Sequence, residues 1–145
     1  MKNFYSKLLV ILQFSIIGMM LLLSSVDVGI IAFGLLLLGA AVGLWALTHN
    51  PLNNFNIAPE LKENCQLITT GIYRWIRHPM YTSVTLMMLG IAVMNHTRII
   101  VWILWIFLVY ILLLKARREE SLWLTHDPCY LAYKETTKYF IPYLL

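Results

Sequence analysis

Charged side chains are few in this chain. Asp, Glu, Lys and Arg make up 12% of its 145 residues, while 60% are hydrophobic. A soluble domain carries about 25% charged and about 45–50% apolar residues. Disorder is excluded, because it needs low hydrophobicity and high charge. A soluble globule is a poor fit as well, since the polar residues to cover its surface are missing. Cysteine is nearly absent. Cys65 and Cys129 lack metal-site spacing and read as packing residues. There is no phosphate-cradling glycine loop, no His-x-x-x-His pair, no Gly-x-Ser-x-Gly elbow and no Gly-x-Gly cofactor fingerprint. A metal ion is therefore not expected. Nor is nucleic acid, because the basic residues are explained by membrane topology.

Long apolar runs are what the chain has instead. A helix needs roughly 20 mostly apolar residues to cross a bilayer. Four runs qualify as candidates, at 8–25, 28–47, 80–94 and 99–114. Gln13 and serines are the only polar side chains of the first. Asp27 alone separates the first two, and Asn95-His96-Thr97-Arg98 separates the last two. Thr97 is placed to cap the fourth helix. The pattern predicts an all-α fold, a polytopic membrane bundle of about four transmembrane helices in two hairpins, as a single domain over 1–145. The run at 80–94 is short for a full crossing. A loop over 48–79 and a tail over 115–145 complete the chain, and the tail holds an amphipathic helix behind Asp127-Pro128.

The basic residues give an orientation. Lys2, Lys7, Lys62, Arg74, Arg77, Lys115, Arg117, Arg118, Lys134 and Lys138 fall on one side, and only Arg98 on the other. This bias predicts both termini and the loop in the cytoplasm. The first run has no small-residue cleavage site behind it and reads as a retained span. Gly39-Ala40-Ala41-Val42-Gly43 in the second run lets helix backbones approach closely, and its expected partner is the first or fourth span.

Two clusters could carry chemistry. Around Arg77-His78-Pro79-Met80-Tyr81, Pro79 suits the first position of the third helix. His78 is then pushed toward extended backbone at the helix mouth, where Arg77, His78 and Tyr81 gather donors. The bland alternative is an aromatic and arginine anchor at the headgroup level. The second cluster is Lys115-Ala116-Arg117-Arg118-Glu119-Glu120. If the fourth helix continues, Arg117 pairs with Glu120 and Lys115 with Glu119 along it. A solvated face with weak ion pairs is the bland alternative here.

Together the clusters resemble a known family. Gly71-Ile72-Tyr73-Arg74 and Arg77-His78-Pro79-Met80-Tyr81 resemble the Arg-His-Pro-x-Tyr motif of the isoprenylcysteine carboxyl methyltransferases and their phospholipid methyltransferase relatives. The Glu119-Glu120 pair, then Tyr130, Tyr133, Thr137 and Phe140-Ile141-Pro142, resemble the same family's tail. Ser83 stands where many members have glycine, and the interval from the glutamate pair to Tyr130 is about one residue short. The resemblance implies an integral membrane enzyme using S-adenosylmethionine. It implies cofactor contacts from Tyr73, Arg77, His78, Pro79, Tyr81, Glu119 and Glu120, and acceptor positioning by Arg117 and Glu120. The implied acceptor is lipophilic: a prenylcysteine-like carboxylate, a phospholipid amine or a thiol. The expected location is a bacterial inner membrane, in contact with membrane lipids. The competing expectation is a non-enzymatic helical subunit whose basic tail binds anionic lipid or a partner protein. A transporter fits less well, because polar or broken mid-membrane stretches are lacking.

Overall fold

A computed structural model describes residues 2–25, 28–51, 54, 56–62 and 65–140. Among these, five α-helices form and no strand does: α1 (Lys2–Leu22), α2 (Ile30–His49), α3 (Pro79–Met94), α4 (Ile99–His126) and α5 (Tyr130–Thr136). A short 3-10 turn covers Gly71–Arg74. Asp27 and Ile141-Pro142 lie outside the described residues.

The all-helical expectation holds, and the count of crossings sharpens. Among the described residues, three helices are long and apolar enough to span a membrane: Phe4–Leu22 of α1, α2 and α4. The fourth apolar helix, α3, has 16 residues. At about 1.5 Å per residue it reaches roughly 24 Å, short of a hydrocarbon core about 30 Å thick. With 28 residues, α4 reaches roughly 42 Å and runs beyond the core at its glutamate end. The outer surface is apolar, with Ile11, Ile31, Leu44 and Ile106 among its exposed large side chains. The protein is an integral membrane protein.

Helix pairing departs from the expected sequential hairpins. The main partner of α2 is α3, and that of α1 is α4, while α3 also touches α1 and α4. Ser6, Leu9, Gln13, Ile16 and Met20 form the buried stripe of α1, spaced three and four residues apart as one helix face requires. Leu9, Ile16 and Met20 share a core with Val101, Leu108, Ile111 and Leu112 of α4 and with Met88 and Ile91 of α3.

Gly39 and Gly43 meet α3, not the first or fourth span. A Cβ on Gly39 would sit 2.9 Å from the Met87 backbone nitrogen and 2.9 Å from the Ser83 carbonyl oxygen. One on Gly43 would sit 2.6 Å from Ser83 Oγ. Ser83 uses this closeness, since its hydroxyl donates to the Gly39 carbonyl at 2.7 Å. The expected Thr97 cap does not form. Arg98 holds the cap position of α4 without a side-chain cap bond, and its guanidinium donates to Leu23 O at 2.7 Å.

Candidate functional site

The site is built where α3 begins. Gly71 opens the 3-10 turn with φ of 59°, in the left-handed region that a Cβ disfavours. A side chain there would also collide with the His49 ring at the end of α2. Three residues after the turn, Arg77 and His78 carry backbone N–H groups that helix α3 cannot use. The C-terminal segment takes them: Arg77 N–H donates to Lys138 O at 2.8 Å and His78 N–H to Tyr139 O at 3.1 Å. Lys138 N–H returns a bond to Trp75 O at 3.1 Å, making an isolated parallel bridge between Ile76 and Lys138. Pro79 then starts α3, and Thr82 Oγ donates to Phe140 O at 2.9 Å. The tail is thus pinned beside the Arg-His-Pro segment.

Glu120 is the hub of the cluster and is 2% exposed. Arg77 Nε donates to its Oε1 at 2.6 Å. Tyr139 donates to Oε2 at 2.8 Å, and Lys134 Nζ lies 3.0 Å from the same oxygen. Arg77 spends further donors on the carbonyls of Lys134 and Thr137 and stacks over the Tyr139 ring at 4.5 Å. Both charges are therefore paired and hydrogen-bonded, the condition under which buried charges persist. The intrahelical pairs expected on α4 do not form among the described residues. Glu120 reaches across to Arg77 and Lys134 instead, and Lys115 turns to Gln13.

Glu119 points another way. Its carboxylate accepts from the Tyr81 hydroxyl and lies 3.5 Å from His78 Nδ1. It lines a cleft of about 810 Å³, counting the space at the open mouth. His78 stacks between Tyr81 and Tyr139, with ring centroids 5.6 and 5.8 Å away. Its Nε2 is 3.4 Å from Glu120 Oε1 yet has no aligned hydrogen bond, although it is buried. Burial pulls the His78 imidazole down, but Glu119 and Glu120 outweigh it, and the pKa lies above the ordinary histidine value. Burial pushes the phenols of Tyr73, Tyr130 and Tyr133 up, so all three stay protonated at neutral pH.

The structure gathers Tyr73, His78, Pro79, Tyr81 and Glu119 on the cleft, with Arg77 at its wall. Glu120 stands behind them as their anchor. Arg117 is not brought in: it is exposed on α4 and does not line the cleft. The far wall, which the loop after α2 supplies, carries no recognisable sequence pattern. There Asn54 bonds Asn50 Oδ1 at 2.7 Å and clasps the backbone of Gln66, and Asn50 donates to the Tyr73 hydroxyl at 3.3 Å. Scattered asparagines in a polar loop gave no signal of this. Trp123 was not signalled by the sequence either. It stacks on Tyr130 at 5.9 Å and closes the aromatic side.

Compared with known families, the chain matches the model described as phospholipid methyltransferase over residues 28–126, from just before α2 to the end of α4. No curated protein matches it.

Proposed function

The chain belongs to the phospholipid methyltransferase family, and we propose that this membrane methyltransferase takes S-adenosylmethionine in the cleft and methylates a small lipophilic acceptor. The observation that carries this reading is Glu119, a carboxylate on the cleft wall, held by Tyr81 and backed by His78 at the polar end of the helix bundle. S-adenosylmethionine supplies an electrophilic methyl group on a cationic sulfur, with an ammonium, a carboxylate and ribose hydroxyls as handles. The residues present fit such a group. Glu119 offers acceptor oxygens to an ammonium or a hydroxyl. His78 Nε2 is buried with its hydrogen-bonding capacity unspent. The stacked Trp123–Tyr130 pair presents flat apolar surface on which a purine packs well.

Roles divide by position. Arg77 and Glu120 satisfy each other, so they hold the α3 mouth, α4 and the tail in register. Glu119, His78 and Tyr73 face the space a cofactor would fill. Methyl transfer gains much of its rate from holding donor and acceptor in line about 3 Å apart, and a rigid cluster under the cleft serves that end. The acceptor is read as a prenylcysteine-like carboxylate, a phospholipid amine or a thiol, reaching the site from the bilayer. We place both termini in the cytoplasm of a bacterial inner membrane, on the basic-residue bias of the loops.

Titration calorimetry of the purified protein with S-adenosylmethionine tests the reading. The wild type binds. Glu119→Ala and His78→Ala each weaken binding by roughly tenfold or more, the worth of one hydrogen bond to a charged group. A wild type that gives no binding heat sinks the cofactor assignment. Full function after Arg77→Lys and Glu120→Asp would favour the non-enzymatic subunit instead, since Lys cannot reproduce the Arg fork.

A further inference from the structure

Lys115 is the buried cation that the site described above does not use. It is 1% exposed, on α4 one turn before Glu119. Burying an ammonium is costly unless it is paired, yet no carboxylate lies within ion-pair distance of it among the described residues. Its partners are neutral and come from three other elements. Nζ donates to Gln13 Oε1 of α1 at 2.6 Å and to Ile57 O of the loop after α2 at 2.9 Å. It also lies 5.1 Å from the centroid of the Tyr81 ring of α3. A methionine would fill this position without the desolvation cost, so packing alone does not account for a lysine.

The partners show what the lysine holds. Ile57 sits between Asn56 and Ala58, both of which line the cleft. Tyr81 lines it as well and donates to Glu119. We propose that Lys115 is a positioning residue that latches the loop at Ile57 to the helix bundle and so fixes the wall of the cleft opposite Glu119. Gln13 is the second half of the latch: it fixes the ammonium from α1, leaving another proton for the loop carbonyl. This rests on the reading of the cleft as a cofactor site, and its test separates the two.

The test compares wild type, Lys115→Met and the double variant Gln13→Leu/Lys115→Met, each full-length in lipid nanodiscs. The double variant removes both partners of the buried bond, a change close to neutral for folding, and it still deprives Ile57 O of its donor. Hydrogen exchange is read without cofactor. The prediction is that amides of 56–62 lose protection in both variants while those of α1 and α4 keep it. Steady-state transfer is then read against S-adenosylmethionine concentration. KM rises about tenfold, as expected for one charged hydrogen bond, and kcat at saturation changes by less than about threefold. Unchanged protection of 56–62 in the double variant overturns the latch. So does a fall in kcat with KM unchanged, the mark of a merely smaller folded fraction. If the wild type binds no cofactor, the functional reading fails by itself, and the exchange result alone decides the latch.

Discussion

Replacing Glu120 with glutamine should strongly destabilise the protein, because this buried carboxylate holds Arg77, Tyr139 and Lys134. The substitution keeps the shape and removes one negative charge. Arg77 and Lys134 then lose their partner, but not equally. Arg77 is 5% exposed at the side chain and its Nε lies 2.6 Å from Glu120. Breaking a buried pair by neutralising one member costs about 3–5 kcal/mol, because the other charge stays buried. Lys134 is 36% exposed, so water takes over its ammonium, and a pair of that kind contributes about 0–1 kcal/mol. Glu120→Gln should therefore lower stability by about 3–5 kcal/mol, and Lys134→Ala by less than about 1 kcal/mol. Tryptophan fluorescence during thermal unfolding in detergent reads both, and Trp123, stacked on Tyr130, reports from beside the cluster. At about 2–4 °C per kcal/mol for a chain of this size, Glu120→Gln drops Tm by roughly 6–20 °C. Equal Tm losses for the two variants would refute the assignment of Glu120 and Arg77 as the buried anchor. A Glu120→Gln variant as stable as wild type would refute it too.

Other predictions follow from single contacts. Gly39→Ala forces a Cβ against the backbone of α3 and should cost about 1–3 kcal/mol. Gly34→Ala on the same helix meets nothing within 4 Å and should be neutral or gain up to about 1 kcal/mol; a Tm comparison of the two checks the α2–α3 packing, and equal shifts would contradict it. Gly71→Ala should lose about 1–2 kcal/mol for the left-handed backbone plus the clash with His49, seen as a lower Tm and weaker cofactor binding. The His78 pKa is raised in the folded protein, so its contribution is fully present below the unfolded value of about 6.5 and is lost as pH rises through the folded pKa. The Tm gap between wild type and His78→Gln should therefore shrink as pH rises above about 6.5; a gap that widens would contradict the pairing with Glu119 and Glu120.

The helices and the two motif clusters were legible in the sequence because apolar length and the His78-Pro79 junction are local signals. Which helices pair was not. Lipid-facing and core-facing positions are almost equally apolar, so no amphipathic stripe marks the inward face; on α1 only the buried Ser6 and Gln13 point to it. Gly39 and Gly43 announced a close contact but not that Ser83 and Met87 would make it. Lys115 and Glu119 are spaced to pair along α4, yet a glutamine 102 residues away takes the lysine. The distinct fates of Glu119 and Glu120 depend on the tail folding back so that Lys138 bridges Ile76, a contact between distant segments that no local pattern encodes.

The proposed reaction passes a methyl group from S-adenosylmethionine to a lipophilic acceptor in this cleft. Its most direct test is labelled methyl transfer by the purified protein into a membrane lipid extract, followed by organic partition and identification of the labelled product. Label should appear in a lipid-soluble product with wild type and be lost with Glu119→Ala. No transfer by folded, cofactor-bound wild type, or full transfer by Glu119→Ala, would contradict it.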